Sequence, residues 1–142
     1  MKPQTSRRCF LSSASAGISM LSAQNLIAGL NPVSDEQARA TSGIVQLRPE
    51  IEPLVRLIEE SPRQRLLEEI GSRIQNGLSY REVLAALLLA GVRNIEPYPA
   101  VGFKFHAVLV VNAAHVASLA SPSADRWLPI LWALDEFKSS QA

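Results

Sequence analysis

The sequence predicts an all-α protein, with helical hairpins packed as a small bundle or forming the N-terminal part of a larger α/α array. Three observations predict this class. Apolar residues recur every three or four positions along residues 49–74. Helix-start and helix-stop signals separate successive segments. Residues 105–120 are almost entirely apolar over a length that exceeds an ordinary strand.

The first two helices are predicted by their apolar faces. Residues 49–60 place four aliphatic side chains at the spacing of one helical face: Ile51, Leu54, Val55 and Ile58. Ser61 followed by Pro62 marks the start of the second helix. Its apolar side chains are Leu66, Leu67, Ile70 and Ile74. We expect Gly77 to end this helix in the left-handed conformation.

A third helix is predicted by Ser79 and Glu82, which have the three-residue spacing of a capping box. This helix is expected to cover residues 83–90 and to stop at Gly91. Residues 91–102 contain two prolines and two glycines, a composition typical of a loop.

Residues 105–120 admit two interpretations. Three of the four residues in 108–111 are β-branched, which is compatible with a buried strand. The length of the apolar run and its alanine content favour a fourth helix. A last helix is expected to reach about Lys138, with Pro129 in its first turn or at a kink. No mature segment is apolar for long enough to predict a transmembrane helix.

The third and fourth helices are apolar on nearly all sides, which predicts burial on several sides. A domain of about 100 residues offers few neighbours for two such helices. We therefore expect a homo-oligomer, a protein partner, or further helices that an incomplete chain lacks.

Residues 1–40 have the organisation of an export signal. A basic start is followed by an uncharged stretch, residues 10–30, and then by a polar segment. Four residues are similar to the twin-arginine consensus: Arg7, Arg8, Phe10 and Leu11. The motif predicts recognition by the twin-arginine (Tat) translocation machinery and a periplasmic or secreted location. The alternatives are an ordinary basic N-terminus and an uncleaved membrane anchor.

Ala38 and Ala40 have the small-x-small pattern that precedes a cleavage point, so the mature helical domain is expected to span residues 41–142. Cys9 then leaves with the signal, and no thiol remains for a disulfide, a nucleophile or haem attachment. Residues 1–40 also hold four of the 14 basic and two of the 13 acidic side chains. The slightly acidic remainder argues against nucleic acid as a partner.

Five residues are candidates for a ligand-binding site: His106, His115, Asn112, Tyr98 and Lys104. Asn112 and His115 are three residues apart, so they share one face of the predicted helix. Polar side chains among so many apolar ones need hydrogen-bond partners. The other three candidates lie in or beside the proline- and glycine-containing loop, a common place for binding residues. The alternative is a structural polar contact between helices.

No catalytic residue, cofactor or metal site is assigned by the sequence. His106 and His115 are nine residues apart, which places them about 180° apart around one helix. A third ligand such as Glu82 or Glu96 has no spacing motif to support it. The sequence lacks a phosphate-binding loop, a nucleophile elbow and the CxxC and HExxH motifs.

The stretch Gly91 to Lys138 resembles a family of uncharacterised, twin-arginine-exported helical proteins of bacteria, to which no activity is assigned. Members of that family are longer, so the resemblance implies that the chain is truncated at Ala142. A fainter resemblance is to questin-oxidase-like proteins and carboxymuconolactone-decarboxylase-type domains. The thiol-dependent members of the latter use a CxxC that is absent here, and no catalytic residue is transferred.

Two functions are open at this point. The first is an exported ligand- or cofactor-binding helical domain, whose enzymatic form would be a periplasmic redox-type enzyme. The second is a non-catalytic helical module for structure or interaction.

Overall fold

The computed structural model describes residues 26–39, 49–94 and 107–141, and these residues form an all-helical bundle. The predicted fold class is confirmed. The α-helices whose bounds lie within the described residues are α1 (Asp35–Ala38), α2 (Glu52–Glu60), α3 (Arg63–Gln75), α4 (Tyr80–Arg93), α5 (Ala107–Leu119) and α6 (Trp127–Ser140). Two short 3₁₀ helices, Pro49–Ile51 and Ser123–Asp125, precede α2 and α6.

Helix α4 lies at the centre of the bundle and packs against α1, α2, α5 and α6. Its sequence explains this position, because eight of its 14 residues are buried, among them Val83, Ala86 and Leu87. Helix α6 packs against α5 on one side and α3 on another. The largest fully buried side chain is Phe137 of α6, which lies in the common hydrophobic core.

The local signals for α3 and α4 act largely as expected. Gly77 has a φ of 103°, the left-handed conformation predicted after α3. The Ser79 hydroxyl accepts from the Glu82 N–H at 3.3 Å, and the Glu82 carboxylate accepts from the Ser79 N–H at 2.9 Å. The expected stop at Gly91 is wrong, because α4 continues to Arg93. Gly91 is buried, and packing outweighs its poor helix propensity.

Residues 107–119 are helical, as the length of their apolar run indicated, and not a strand. Only Ala107, Val111, Ala114 and Ser118 of this helix are buried. Within this chain the expectation of burial on several sides is confirmed for α4, whereas α5 contacts the bundle along one stripe. Burial of the other sides of α5 by a partner stays a prediction. Pro129 lies in the first turn of α6, where a missing N–H interrupts no intrahelical hydrogen bond.

Charged side chains connect the ends of the helices. Arg63 donates two hydrogen bonds of 2.8 Å to Asp135, joining α3 to α6. Arg93 donates to both carboxylate oxygens of Glu52, at 3.0 and 2.8 Å, and this contact lowers the pKa of Glu52. Lys138 donates to two main-chain carbonyls at the end of α2. These contacts fix the register of α2 and α3 against α4 and α6.

A segment with no predicted structure, residues 26–39, also belongs to the bundle. Ser34 and Gln37 form a capping box that opens the one-turn helix α1. Leu30, Val33 and Ala38 are part of the hydrophobic core. We call residues 26–39 the N-terminal arm.

Among the described residues, no helix combines the length and hydropathy needed to cross a bilayer.

Candidate functional site

The structure does not bring the five predicted ligand-binding residues together. Tyr98, Lys104 and His106 lie outside the described residues. Asn112 is exposed on α5, and His115 is half-buried on the same helix. Only His115 has a defined polar contact with a side chain of another helix, and that partner is Tyr80 of α4.

Most of the residues predicted to direct export also lie outside the described residues. Arg7, Arg8, Phe10, Leu11 and Ala40 lie outside the described residues. Ala38 is the last residue of α1, and only 1% of its surface is exposed.

Tyr80, His115 and Trp127 form an aromatic cluster where α4, α5 and α6 meet. The Tyr80 phenolic oxygen lies 3.0 Å from Nδ1 of His115. The Tyr80 ring packs against the Trp127 indole with a centroid separation of 5.5 Å. The Trp127 N–H donates to the Asn31 carbonyl at 3.1 Å. The cluster therefore connects three helices and the N-terminal arm.

The protonation states in this cluster follow from burial. Burial lowers the pKa of His115, so the neutral imidazole is favoured. Burial also raises the pKa of Tyr80, which keeps the phenol protonated. A neutral imidazole and a neutral phenol can share one hydrogen bond without leaving a buried charge. The pair is suited to structural satisfaction of two polar groups.

A second polar contact joins α5 to the start of α6. Ser118 is fully buried, and its hydroxyl contacts the carbonyl oxygens of Ala114 at 3.0 Å and Arg126 at 2.9 Å. The Arg126 side chain then reaches the N-terminal arm, where it donates to the Val33 carbonyl at 2.8 Å and pairs with Asp35. This ion pair lowers the pKa of Asp35.

An open depression of about 500 Å³ lies on the described surface, between α1 and α4. Its walls carry both signs of charge: Asp35, Glu36, Arg39 and Arg81. The Arg81 guanidinium is already occupied, since it donates to three main-chain carbonyls of the arm. The depression is therefore an open margin of the α1–α4 contact, unlike the enclosed clefts that hold small ligands.

The most distinctive surface is the outer side of α5. Four of its large apolar side chains are exposed: Val108 (63%), Leu109 (69%), Val116 (55%) and Leu119 (39%). Residues 107–119 contain no Asp, Glu, Lys or Arg. Leu109, Asn112, Val116 and Leu119 follow one another at intervals of three, four and three residues. We call these four residues the α5 face.

The described ranges contain no group of three His, Cys, Asp or Glu side chains arranged to hold a metal ion. Comparison of the chain with protein-family models, curated proteins and solved structures gives no match.

Proposed function

We propose that this protein is a non-catalytic helical interaction module, which pairs with a second copy of itself through the α5 face. The observation that carries the proposal is the exposure of large aliphatic side chains on a helix without a charged residue. Isolated apolar residues are normal on protein surfaces, but a contiguous group of them is typical of an interaction site. We retain export by the twin-arginine machinery as part of the proposal, supported by the motif around Arg7 and Arg8.

The hydrophobic effect provides the driving force for association. Removing apolar surface from water is favourable by roughly 25 cal/mol for each Å². Leu109 and Val116 each keep more than half of their surface exposed, although both belong to residue types that are usually buried. Burial of the α5 face against another apolar surface would remove this exposure.

The pattern of the face favours a second copy over an unrelated partner. Alternating intervals of three and four are the spacing at which two helices pack side by side in a coiled coil. Asn112 is the polar residue within the pattern. An asparagine amide both donates and accepts, so two copies of Asn112 that meet at a two-fold axis satisfy each other. A face without charge also brings no like-charge repulsion when it meets itself.

The size of the face predicts a weak, reversible dimer. Helix α5 has 13 residues and is therefore about 20 Å long. A stable interface usually buries about 800 Å² on each partner, which one short helix does not reach. Outside α5, the described residues include two further exposed large apolar side chains, Val92 near the end of α4 and Trp132 on α6.

The ligand-binding alternative has less support. His115, its only candidate with a described side-chain partner, is occupied by Tyr80. His115 Nδ1 and the Tyr80 hydroxyl already contact each other, so a ligand would have to compete with this hydrogen bond.

Disulfide trapping of the pair tests the proposal. In the Cys9→Ser background, Asn112→Cys introduces a single thiol at the centre of the α5 face. Two cysteines can be bridged only when their Cα atoms are within about 7 Å. We expect mild oxidation to give a covalent dimer for Asn112→Cys. The matched control Gln64→Cys, exposed on α3, should stay monomeric. Equal crosslinking of both variants would contradict the proposal.

A further inference from the structure

The N-terminal arm is bound to the bundle through its side chains. Leu30 and Val33 enter the core, and Ala38 is almost completely buried. Leu26 packs so closely on Gly71 of α3 that a Cβ atom at this glycine would overlap the leucine side chain. The arm therefore contacts the bundle at both of its ends.

The main chain of the arm is also bound by residues at and just before the start of α6. Trp127 donates to the Asn31 carbonyl at 3.1 Å, and Arg126 donates to the Val33 carbonyl at 2.8 Å. The Val33 N–H donates to the Ser123 carbonyl at 3.1 Å. Residues 31–33 are therefore held through three main-chain groups: the Val33 N–H and the carbonyls of Asn31 and Val33.

Arg81 binds the other end of the arm. Its guanidinium donates to the carbonyls of Glu36 at 2.6 Å, Gln37 at 3.2 Å and Arg39 at 3.0 Å. These carbonyls belong to the end of α1, where the last oxygens of a helix have no intrahelical partner. A single arginine thus binds three of the carbonyls at this helix end.

Arg126 depends on the arm for its partners. Only 7% of its surface is exposed, and its described side-chain contacts are the Val33 carbonyl and the Asp35 carboxylate. Its Nε atom has no hydrogen-bond partner among the described residues. Loss of the arm would remove both of these described partners of the guanidinium. It would also expose the apolar surfaces that cover Leu30 and Val33.

We propose that the arm is a permanent part of the folded domain, and that any proteolytic removal of an export signal takes place before Leu26. The pattern at Ala38 and Ala40 would place cleavage after the arm. In the folded chain Ala38 is helical and buried, so a peptidase that requires an extended and accessible segment cannot act on it. This inference depends on the contacts of the arm and is independent of self-pairing through α5.

The intact mass of the protein from an exporting bacterial host, measured under denaturing conditions, tests the inference. We expect a chain that begins at or before Leu26, including an unprocessed chain. A mass equal to residues 41–142 alone would overturn the inference.

A nicking experiment tests the same contacts in the full chain. A specific protease site is inserted after Thr41 and cut once the protein has folded. We expect the released N-terminal fragment to co-elute with the rest of the protein in size-exclusion chromatography. Separate elution of the fragment from a folded remainder would overturn the inference.

Two variants identify the contacts that retain the fragment. Arg126→Met removes the donor to Val33 and the partner of Asp35, and we expect at least tenfold faster release of the nicked fragment. Arg81→Met removes only the contacts at the end of α1, and it keeps the test available if Arg126→Met does not fold. Arg65→Met on α3, whose described ion pair is with Glu69 alone, is the matched control. Equal rates of fragment release from the control and from both variants would show that the contacts of Arg126 and Arg81 do not retain the arm.

Discussion

The phenolic oxygen of Tyr80 lies 3.0 Å from Nδ1 of His115, and this contact joins α4 to α5. Through it the phenol of α4 and the imidazole of α5 share one hydrogen bond. The contact uses a residue that the sequence singled out, His115, for a structural purpose. Its energetics can be measured without any knowledge of a ligand.

The unfolding free energy is expected to fall as the pH decreases below about 6.5, the ordinary pKa of histidine. Burial lowers the pKa of His115 in the folded chain, so the unfolded chain binds more protons in the window below this value. Stability is therefore fully present above the unfolded pKa and is lost as the pH falls through the folded pKa. Urea unfolding between about pH 5 and 8 measures this dependence.

The control for this prediction is His115→Gln, which cannot titrate in the same window. The variant should show a smaller change of unfolding free energy between the two ends of the pH range. An identical pH dependence in both proteins would show that His115 does not contribute.

Tyr80→Phe removes the hydroxyl that contacts His115 and keeps the buried ring. We expect a loss of about 1 kcal/mol in the unfolding free energy, because His115 loses its described partner. A double-mutant cycle with His115→Gln separates this contact from other effects. Additive losses in the double variant would contradict a direct interaction between the two side chains.

Phe137→Ala is expected to destabilise the protein by about 3–5 kcal/mol, because it empties the largest fully buried position of the core. Trp132→Ala, on the same helix but 38% exposed, should have a much smaller effect. Chemical denaturation of the two variants gives the comparison. Similar losses of unfolding free energy in the two variants would mean that α6 does not face the core with Phe137.

Gly77→Ala is expected to cost about 1–2 kcal/mol, because a φ of 103° is unfavourable for any residue with a Cβ atom. No atom lies within 4 Å of the added methyl group, so the cost comes from the backbone alone. Ser72→Ala, at an exposed position of α3, is the matched control and should be neutral or slightly stabilising. Thermal unfolding of both variants tests the prediction, which fails if Gly77→Ala is as stable as the wild type.

Much of the fold follows from local signals in the sequence. The capping box of Ser79 and Glu82 and the left-handed Gly77 mark the ends of helices through contacts within a few residues. The end of α4 was missed at Gly91, since burial against neighbouring helices is a tertiary effect. The same limit applies to α5, whose uniform apolar sequence does not show which side faces solvent.

The sequence contains a local indication of the helix in the N-terminal arm. Ser34 and Gln37 have the spacing of a capping box, but they lie in a segment that also has the composition of a signal-peptide end. The partners Arg81 and Arg126 could not be predicted, because Arg126 is 93 residues from Val33. Contacts of that range depend on the packing of the whole bundle.

Sedimentation velocity over about 1 µM to 1 mM protein tests self-pairing through the α5 face most directly. We predict a concentration-dependent monomer–dimer equilibrium for the wild type. Val116→Glu should remain monomeric, since two buried carboxylates would meet at the interface. Gln64→Glu, which adds the same charge on α3, should dimerise like the wild type. A wild type that stays monomeric over the whole concentration range would contradict self-pairing through the α5 face. It would mean that another segment or a different protein covers α5.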